Sequence, residues 1–542
     1  MSFQIIFVAL VLLFMLCALM RECLRPGLIL FTAVVMLLCA GIINPEEALK
    51  GFSNKGMITV ALLYLVSEGV RKSGILERIM FRVLPKKDVT ITRANLRFFP
   101  IVSLISAFFN NTPVVVIFAP MIKNWARRMK LPPTKFLIPL SYATVIGGIC
   151  TLIGTTTNLV LHGMLLQEHK DEVKAVANGG AEGILMKFGI DGMHMFELSK
   201  VGVIIALVGL VYLIFFSRYL LPDSRKAEDE AEEMTVVPPG AVRHEVMLGN
   251  RFPGIGKTLR EFDFYRRYGG HVRAISRGGA IVEGDYTQVR MTHDDTLLID
   301  APEDFYDTWK DSRVFWMINR VGYYEPPMGS KKRFFALALL IMMIIGATVG
   351  ELPIVTDHFK FIKLDMFFFA CVTSVIMAWT RMFSPKKYTK FFSWDVLITI
   401  ACAFAISTAM TKSGFADFIA SYIIALTDNV GQSRWGIYVI LAALFLITNI
   451  FTELITNNAA AALAFPLALS VAEKLGANPM PFVVCICFAA SSAFSTPIGY
   501  QTNLIVQGVG GYKFTDFVKV GLPMNIIVFV LSVFLIPLVY GM

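Results

Sequence analysis

The chain has 542 residues, of which 56% are hydrophobic and only 17% are charged. This composition excludes an ordinary soluble domain and favours a protein that crosses a membrane several times. The formal net charge of +10 lies largely in short loops between apolar runs, which is typical of membrane topology and gives no indication of nucleic-acid binding. Most of the eight cysteines lie inside apolar runs and are expected to pack as small hydrophobic side chains.

Apolar stretches on both sides of a polar middle segment predict five membrane passes in each half of the chain. The predicted passes cover about 3–20, 27–43, 57–70, 136–166, 196–221, 334–350, 366–383, 394–411, 480–507 and 521–541. Segment 72–84 is expected to lie on the membrane surface as an amphipathic helix. Asp395 is expected to cap the pass that begins beside it.

The distribution of positive charge predicts the orientation of the passes. Loops 71–97 and 123–135 are rich in Lys and Arg, so both should be cytoplasmic. The apolar stretch between them, about 98–122, therefore enters and leaves on one side as a re-entrant hairpin. An odd number of passes reverses the second half, so its hairpin, about 436–472, should enter from outside. The sequence thus predicts two inverted repeats, with both termini outside a bacterial inner membrane and the middle segment cytoplasmic.

Two polar motifs recur in the two halves. Asn110-Asn111-Thr112 at the first hairpin tip corresponds to Thr456-Asn457-Asn458 at the second, and IGTTTNLV at 153–160 recurs as IGYQTNLI at 498–505. Both offsets are about 345 positions, so a whole half is repeated. Polar, helix-breaking sequence at membrane depth is tolerated only where it is buried in protein or lines a cavity. Its duplication predicts a transporter binding site in which each tip faces the broken pass of its own half.

The chemistry of these motifs suits ions of both signs. Helix N-termini favour anions, whereas unwound carbonyl groups and helix C-termini favour small cations. Asn and Thr side chains provide oxygen ligands to a cation and N–H or O–H donors to an anion. No Arg or Lys lies within either tip motif or either Gly-Thr-Asn segment, so helix dipoles, neutral donors and bound cations must hold an anion.

The motifs resemble the divalent anion:sodium symporter family (solute carrier family 13) of the ion transporter superfamily. That family carries Ser-Asn-Thr at each hairpin tip, and its dicarboxylate members carry Thr-Pro-Pro where this chain has Tyr500-Gln501-Thr502. The resemblance implies a homodimeric symporter in the lipid bilayer that works by alternating access. It also implies sodium as the coupling ion, with no enzyme activity and no other cofactor.

The resemblance and the repeat together give the candidate site. The predicted substrate-binding residues are Asn111, Thr112, Thr157, Asn158, Asn457, Asn458, Thr502 and Asn503. The predicted sodium-binding residues are Asn110, Asn111, Gly154, Thr155, Thr456, Asn457, Gly499 and Tyr500. Glu453, inside the second hairpin, is either a structural partner of the loop amides or a proton-coupling site. His162 is either a surface histidine or a titrating group near the outer mouth.

The middle segment divides the chain into a membrane repeat at 1–221, a linker and domain at 222–332, and a second membrane repeat at 333–542. A charged linker, Asp223 to Glu233, precedes a core at about 241–305. That core resembles the TrkA-C (RCK-C) module in its motifs PGIGKTL, YGGHV and DDTLLI. The resemblance implies a small α/β dimerisation domain, and a small-molecule or nucleotide effector is left open. The GKT triplet is not a phosphate-binding loop, because Arg251 stands where the first glycine is required.

The sequence therefore predicts sodium-coupled symport of a divalent oxyanion. Sulfate is placed first, because members of the family with such an insert are usually described as sulfate-type permeases. A sodium-coupled dicarboxylate transporter is one alternative. A proton-coupled transporter or sodium/proton exchanger of the same fold is another, in which Glu453 and His162 would matter most.

Overall fold

The structure is mainly helical, with one small sheet between two helical halves. The computed structural model describes the chain except residues 1–2, 22–23, 87–88, 224–240, 250, 278–279, 283–284, 294, 303, 310–311, 313, 321–328, 353–354, 356–357, 359–362, 384, 426–434 and 542. Nearly all of the predicted charged linker lies outside the described residues. The predicted all-α polytopic membrane fold with a small sheet-containing insert is confirmed.

Eighteen helices of eight residues or more are labelled here within the described residues. Those of the first half are α1 (Phe3–Met20), α2 (Pro26–Cys39), α3 (Lys55–Ser73), α4 (Ile75–Val83), α5 (Ile91–Ser106), α6 (Asn111–Arg128), α7 (Leu137–Gly148), α8 (Thr156–Ala177) and α9 (Ser199–Phe215). Those of the second half are α10 (Ser330–Gly350), α11 (Met366–Trp379), α12 (Trp394–Lys412), α13 (Phe415–Ala425), α14 (Trp435–Leu454), α15 (Asn457–Leu475), α16 (Met480–Ser491), α17 (Gln501–Gly510) and α18 (Phe514–Tyr540). Shorter helices cover Pro45–Leu49, Ile184–Lys187, Ser217–Leu220, Leu259–Phe262, Phe264–Tyr268 and Phe305–Trp309.

Five of the described helices are long and apolar enough to cross a membrane, namely α1, α10, α12, α14 and α18. Each predicted hairpin consists of two helices, α5 with α6 and α14 with α15, and both helix pairs extend beyond the predicted bounds. The amphipathic segment at 72–84 contains α4. Helix α13 was not predicted, because its 11 residues are too few to be recognised as a membrane pass.

Both long polar-interrupted passes are broken helices. Helices α7 and α8 are separated by residues 149–155, the first break, and α16 and α17 by residues 492–500, the second break. Gly154 allows the first break to fold back closely, since a Cβ there would lie 2.4 Å from the carbonyl oxygen of Gly148 and 2.9 Å from that of Ala107. The end of α5, the end of α7 and the first break therefore meet at one place.

The insert is an antiparallel sheet with strand order β3-β2-β4-β1-β5. The strands are β1 (Ala241–Leu248), β2 (His271–Arg277), β3 (Ala280–Ile281), β4 (Thr296–Pro302) and β5 (Phe315–Arg320). Val246 pairs with Leu297 on β4 and with Ile318 on β5, and it belongs to the buried aromatic and aliphatic core of the insert. The sheet extends beyond the predicted core at about 241–305, because β5 adds an edge strand that continues to Arg320.

The insert packs against the helical part of the chain beside α6. Met247 and Met317 belong to the same buried hydrophobic cluster as the membrane helices. Lys123, a buried residue of α6, lies with its Nζ 3.7 Å from Oε1 of Glu245 on β1. The second helix of the first hairpin thus touches the sheet directly.

Asp395 does not cap its own helix, contrary to the sequence prediction. Its Oδ1 accepts a hydrogen bond of 3.2 Å from the backbone N–H of Gly27, at the start of α2. No side chain caps α2 from its own N-cap position, Arg25, so a residue of the second half supplies that cap.

Candidate functional site

The two hairpin tips are held by the same hydrogen bond. Ser106 Oγ donates to Asn111 Oδ1 at 2.7 Å, and Thr452 Oγ1 donates to Asn457 Oδ1 at 2.8 Å. Each donor lies in the last turn of the first helix of its hairpin, and each acceptor begins the second helix. Both amide groups are therefore turned so that their N–H donors face away from the hairpin.

The two breaks are also held in the same way. Asn158 Nδ2 donates to the carbonyl oxygen of Thr151 at 2.9 Å and to that of Gly148 at 3.4 Å. Asn503 Nδ2 donates to the carbonyl oxygens of Ala493 at 2.8 Å and Thr496 at 3.1 Å. Asn158 and Asn503, the asparagines that follow the two breaks, thus satisfy carbonyl groups that the unwound segments leave without helical partners.

The tips also contact the broken passes of the opposite halves, whereas the sequence predicted contacts within each half only. Asn111 Nδ2 donates to the hydroxyl of Tyr500 at 2.9 Å. Thr156 and Thr157 donate to Asn458 Oδ1 at 3.2 and 3.3 Å. A sequence repeat identifies corresponding residues but does not indicate which copies touch, so these contacts could not be predicted.

A further contact joins the halves below the tips. Ser141 Oγ, on α7, lies 2.8 Å from Thr502 Oγ1 and 2.7 Å from Asn503 Oδ1, both on α17. All three side chains are fully buried. The acceptor oxygen of Asn503 is therefore occupied by a hydroxyl group of the protein itself.

Four helix N-termini meet at this site in two pairs. Helices α6 and α17 are joined by the Asn111–Tyr500 bond, and α8 and α15 by the bonds to Asn458. None of the four has a side-chain cap or an acidic residue in its first turn. The first N–H groups of a helix lack intrahelical partners and carry partial positive charge, so this arrangement favours an anion.

Several buried side-chain atoms at the tips and breaks have no hydrogen-bond partner among the described residues. They include Asn457 Nδ2 and Asn158 Oδ1, on residues that are 4% and 0% exposed, and the hydroxyl oxygens of Thr155 and Thr456. Buried polar atoms are almost always hydrogen-bonded, so such atoms at one site indicate a ligand or an ordered water. Asn457 offers a donor, which suits an anion, and Asn158 offers an oxygen, which suits a cation.

Glu453 anchors the second break. Its carboxylate accepts hydrogen bonds from the backbone N–H groups of Ser495 at 2.8 Å and Thr496 at 2.9 Å, and from Asn525 Nδ2 at 2.7 Å. These contacts favour the structural interpretation of this residue. His162 is half-buried, not a simple surface histidine, and its Nδ1 accepts the backbone N–H of Met193 at 2.9 Å.

The remaining predicted residues lie at the tips or in the breaks. Asn110, Thr112 and Thr456 are half-buried, whereas Thr155 and Gly499 are buried. Asn110 lines a small cavity of about 20 Å³ together with Tyr64, Ser67 and Thr156.

Sequence reasoning missed Tyr64, Ser67, Ser106, Ser141 and Thr452. Ser106 and Thr452 each stand five positions before the tip Asn of their copy, so the repeat itself carried a signal for them. Tyr64, Ser67 and Ser141 stand outside both motifs and gave no such signal.

Comparison with known proteins matches this architecture to one family. The sequence profile described as citrate transporter matches residues 11–368 and 359–542, which together span most of the chain. The chain belongs to the citrate transporter family. The predicted membership of the ion transporter superfamily is thereby confirmed, and the protein is a multi-pass membrane protein of a transporter family.

Three relatives of this family member have transporter names. An uncharacterised transporter of Synechocystis is 26% identical, over 94% of this chain and 92% of the relative. Sodium/sulfate cotransporter 1 of Chlamydomonas reinhardtii is 22% identical, over 94% of this chain and 87% of the relative. Solute carrier family 13 member 1 of the mouse is 28% identical, but over only 28% of this chain and 24% of the relative.

Proposed function

We propose that this family member couples the inward movement of sodium to that of a divalent oxyanion, with sulfate as the first candidate, by alternating access. The observation that carries this proposal is the meeting of four uncapped helix N-termini around the tips, where the buried Asn457 Nδ2 has no hydrogen-bond partner among the described residues. A small dianion accepts several hydrogen bonds at once, which suits backbone N–H groups and amide donors. The names of the Chlamydomonas relatives support sodium and sulfate as the pair.

The cation is proposed to lie behind the first tip. Carbonyl groups at the ends of α5 and α7 meet there beside Gly154, and Asn158 Oδ1 supplies a further oxygen. The described residues hold no group of three or more His, Cys, Asp or Glu that suits a metal ion, so neutral oxygens are the ligands at hand. Such a site favours sodium over a transition metal. A cation bound beside the anion makes the affinities of the two ions interdependent.

The proposed orientation keeps the insert in the cytoplasm and both termini outside. Lys123 touches the sheet at the end of α6 that carries Arg127 and Arg128. Segment 123–135 consists of that end and the residues after it, and its positive charge is typical of a cytoplasmic segment. We also propose that the insert acts as a TrkA-C-like dimerisation domain and that the transporter is a homodimer.

The experiment that tests the function is uptake of radiolabelled sulfate by proteoliposomes that contain the full chain. Uptake should require an inward sodium gradient and should not be reduced by unlabelled succinate or citrate. Uptake that is unchanged without sodium, at every outside pH, would contradict sodium coupling. Uptake driven by a pH gradient instead would select the proton-coupled alternative.

The tip residues are tested by Asn111→Ala and Asn457→Ala. A hydrogen bond to a charged ligand is worth about 1.5–3 kcal/mol, so each variant should lose at least about tenfold in sulfate affinity. The measurement is the concentration dependence of sodium-driven uptake, with the amount of folded protein determined by size-exclusion chromatography.

Asn95→Ala is the matched control for these variants. Asn95 is a fully buried Asn in the same hairpin as Asn111, near the start of α5 and so at the end of that helix away from the tip. This variant should transport like the unsubstituted chain. Normal affinity in both tip variants would refute the site assignment.

A carboxylate substrate is the second candidate, because the matching family profile is described as citrate transporter. Competition separates the two possibilities. Sulfate uptake that unlabelled citrate or succinate abolishes, together with sodium-driven uptake of the labelled carboxylate, would replace sulfate by that carboxylate and leave the tip assignment intact.

A further inference from the structure

A large cavity lies between α3, α8 and the segment that follows α10. Its volume is about 460 Å³, which is within the range of small-molecule sites. We call it the vestibule; its lining residues include Lys55, Thr59, His162, Leu166, Glu351 and Asp365. None of the predicted tip residues lines it, so it is distinct from the candidate site.

The vestibule and the small cavity at the first tip follow one another along the same three helices. On α8, Thr156 lines the tip cavity, whereas His162 and Leu166 line the vestibule. On α3, Tyr64 and Ser67 line the tip cavity, whereas Thr59 lines the vestibule. On α10, the tip cavity is reached by residues near the middle of the helix, including Met343, and the vestibule by its last residue, Gly350. The two cavities therefore lie next to each other along these helices.

Leu159 stands between the two cavities. It lines both of them and is 2% exposed. Residues three apart in a helix are neighbours on its surface, so Leu159 adjoins both Thr156, which lines the tip cavity, and His162, which lines the vestibule. The isobutyl group of Leu159 is the apolar side chain between these two polar residues.

The helix that carries Leu159 is fixed against α3 one turn away. Asn54 Nδ2 donates to the carbonyl oxygen of Gly163 at 3.0 Å, and a Cβ on Gly56 would lie 2.6 Å from the Cα of Gly163. So close a contact between two glycines leaves no room for α8 to shift toward α3. Movement of the Leu159 side chain itself is therefore the smaller change that would connect the cavities.

Most charges of the vestibule wall are arranged in pairs of opposite sign. Lys55 pairs with Asp365, and Lys363 Nζ lies 4.0 Å from Asp191 Oδ2. His194 Nδ1 lies 3.3 Å from Glu351 Oε2 and completes a third pair when the imidazole is protonated. A wall whose charges cancel in pairs repels neither a cation nor an anion strongly. It suits a passage that must admit both ions of a symporter.

We propose that the vestibule is the aqueous access chamber through which the ions reach the hairpin tips, and that Leu159 is the gate between them. The identity of the ions rests on the proposed function, but the gate does not. In this structure the tip cavity of about 20 Å³ holds no more than about one water molecule, and Leu159 lines both this cavity and the vestibule.

The gate is tested by thiol labelling of the full chain in intact cells with a charged, membrane-impermeant methanethiosulfonate reagent. The reporter is Ser67→Cys, which lines the tip cavity, and the vestibule reference is Leu166→Cys. The unsubstituted chain measures the background from its own cysteines. Leu166→Cys should be labelled rapidly and Ser67→Cys slowly.

Adding Leu159→Ala should raise the labelling rate of Ser67→Cys about tenfold, a barrier change of about 1.4 kcal/mol, and leave that of Leu166→Cys unchanged. Leu161→Ala is the matched control, since this equally buried leucine of α8 lines neither cavity. If Leu159→Ala does not fold, Leu159→Phe provides the test, because the larger side chain should slow labelling of Ser67→Cys.

Two results would overturn the gate. One is rapid labelling of Ser67→Cys that does not depend on residue 159. The other is an unlabelled Leu166→Cys, which would mean that the vestibule is closed to water. Labelling does not depend on transport, so the expected pattern in a protein without sulfate uptake would retain the gate and reject the proposed function.

Discussion

At the scale of single residues, the site is built from amide and hydroxyl groups. Some of their atoms form hydrogen bonds with backbone groups, and the remaining atoms are available to a ligand. Asn158 donates to one carbonyl group at the end of α7 and to one in the first break, and its Oδ1 has no partner among the described residues. Its counterpart Asn503 makes the same donations but has its oxygen occupied by Ser141. The two halves are thus equivalent in structure and unequal in the ligands that they offer.

The hydroxyl of Tyr500 is expected to set anion affinity through Asn111. Tyr500→Phe removes the acceptor of the Asn111 amide and leaves a buried donor unpaired, at a cost of about 1–3 kcal/mol. The apparent Km for sulfate should change by roughly tenfold while the maximal rate changes little, as measured by sodium-driven uptake. Tyr512→Phe is the control, because that hydroxyl bonds to the carbonyl of Thr134, away from the tips.

Glu453 is expected to act as a structural anchor. Glu453→Gln replaces one acceptor oxygen by a donor facing a backbone N–H group, so the protein should lose about 1–3 kcal/mol of stability. Thermal unfolding measures this loss, and sodium dependence of uptake should persist in the folded fraction. If instead the unfolding temperature stayed constant and the pH dependence of uptake disappeared, Glu453 would be the proton-coupling site.

At the scale of helices and strands, the predictable features were those that a local pattern encodes. The length of the apolar runs predicted the membrane passes. The Asn-Thr motifs beside Gly predicted the hairpin tips and the helix breaks. Helix α13 was missed because 11 residues do not span a bilayer, and β5 because the predicted core ended before it. Asp395 was assigned to its own helix because local capping is the usual case, whereas the structure uses it on α2.

The insert sheet is expected to depend on a buried ionic cluster. Asp300 pairs with Arg243 at 2.7 Å and Arg273 at 2.9 Å on the neighbouring strands. Burial alone would raise the pKa of its carboxyl group, but the hydrogen bonds from Arg243 and Arg273 outweigh burial and lower the pKa. A lowered pKa means that the stabilisation is present above the unfolded value of about 3.9 and is lost as the pH falls through the folded value.

Asp300→Asn should therefore destabilise the sheet by about 3 kcal/mol at pH 7, because it removes the buried carboxylate that Arg243 and Arg273 share. Hydrogen exchange of β1, β2 and β4, followed by mass spectrometry in the full chain, measures the change. The difference from the unsubstituted protein should shrink as the pH falls below about 3.9. Asp304→Asn, at an exposed position beyond β4, should exchange normally; equal exchange in both variants would refute the cluster's role.

At the scale of the whole molecule, the sequence repeat predicted two related halves but not how they are joined. Contacts between the halves occur at the tips, below them through Ser141, and far from them through Asp395. Each depends on three-dimensional proximity between residues that are hundreds of positions apart in sequence. No local pattern indicates such pairs, and for that reason the candidate residues were predictable individually while their partners were not.

Helix α6 connects the first tip directly to the insert. Asn111 begins this helix and Lys123, beside Glu245 of the sheet, lies about 18 Å along it at the usual rise per residue. Coupling between two binding events is reciprocal, so an antibody fragment whose affinity for the sheet changes with tip occupancy must shift tip affinity by the same factor. Screening antibody fragments against the sheet with and without sodium could therefore yield a fragment that binds preferentially when the tip site is occupied. Such a fragment would report site occupancy from outside the membrane region.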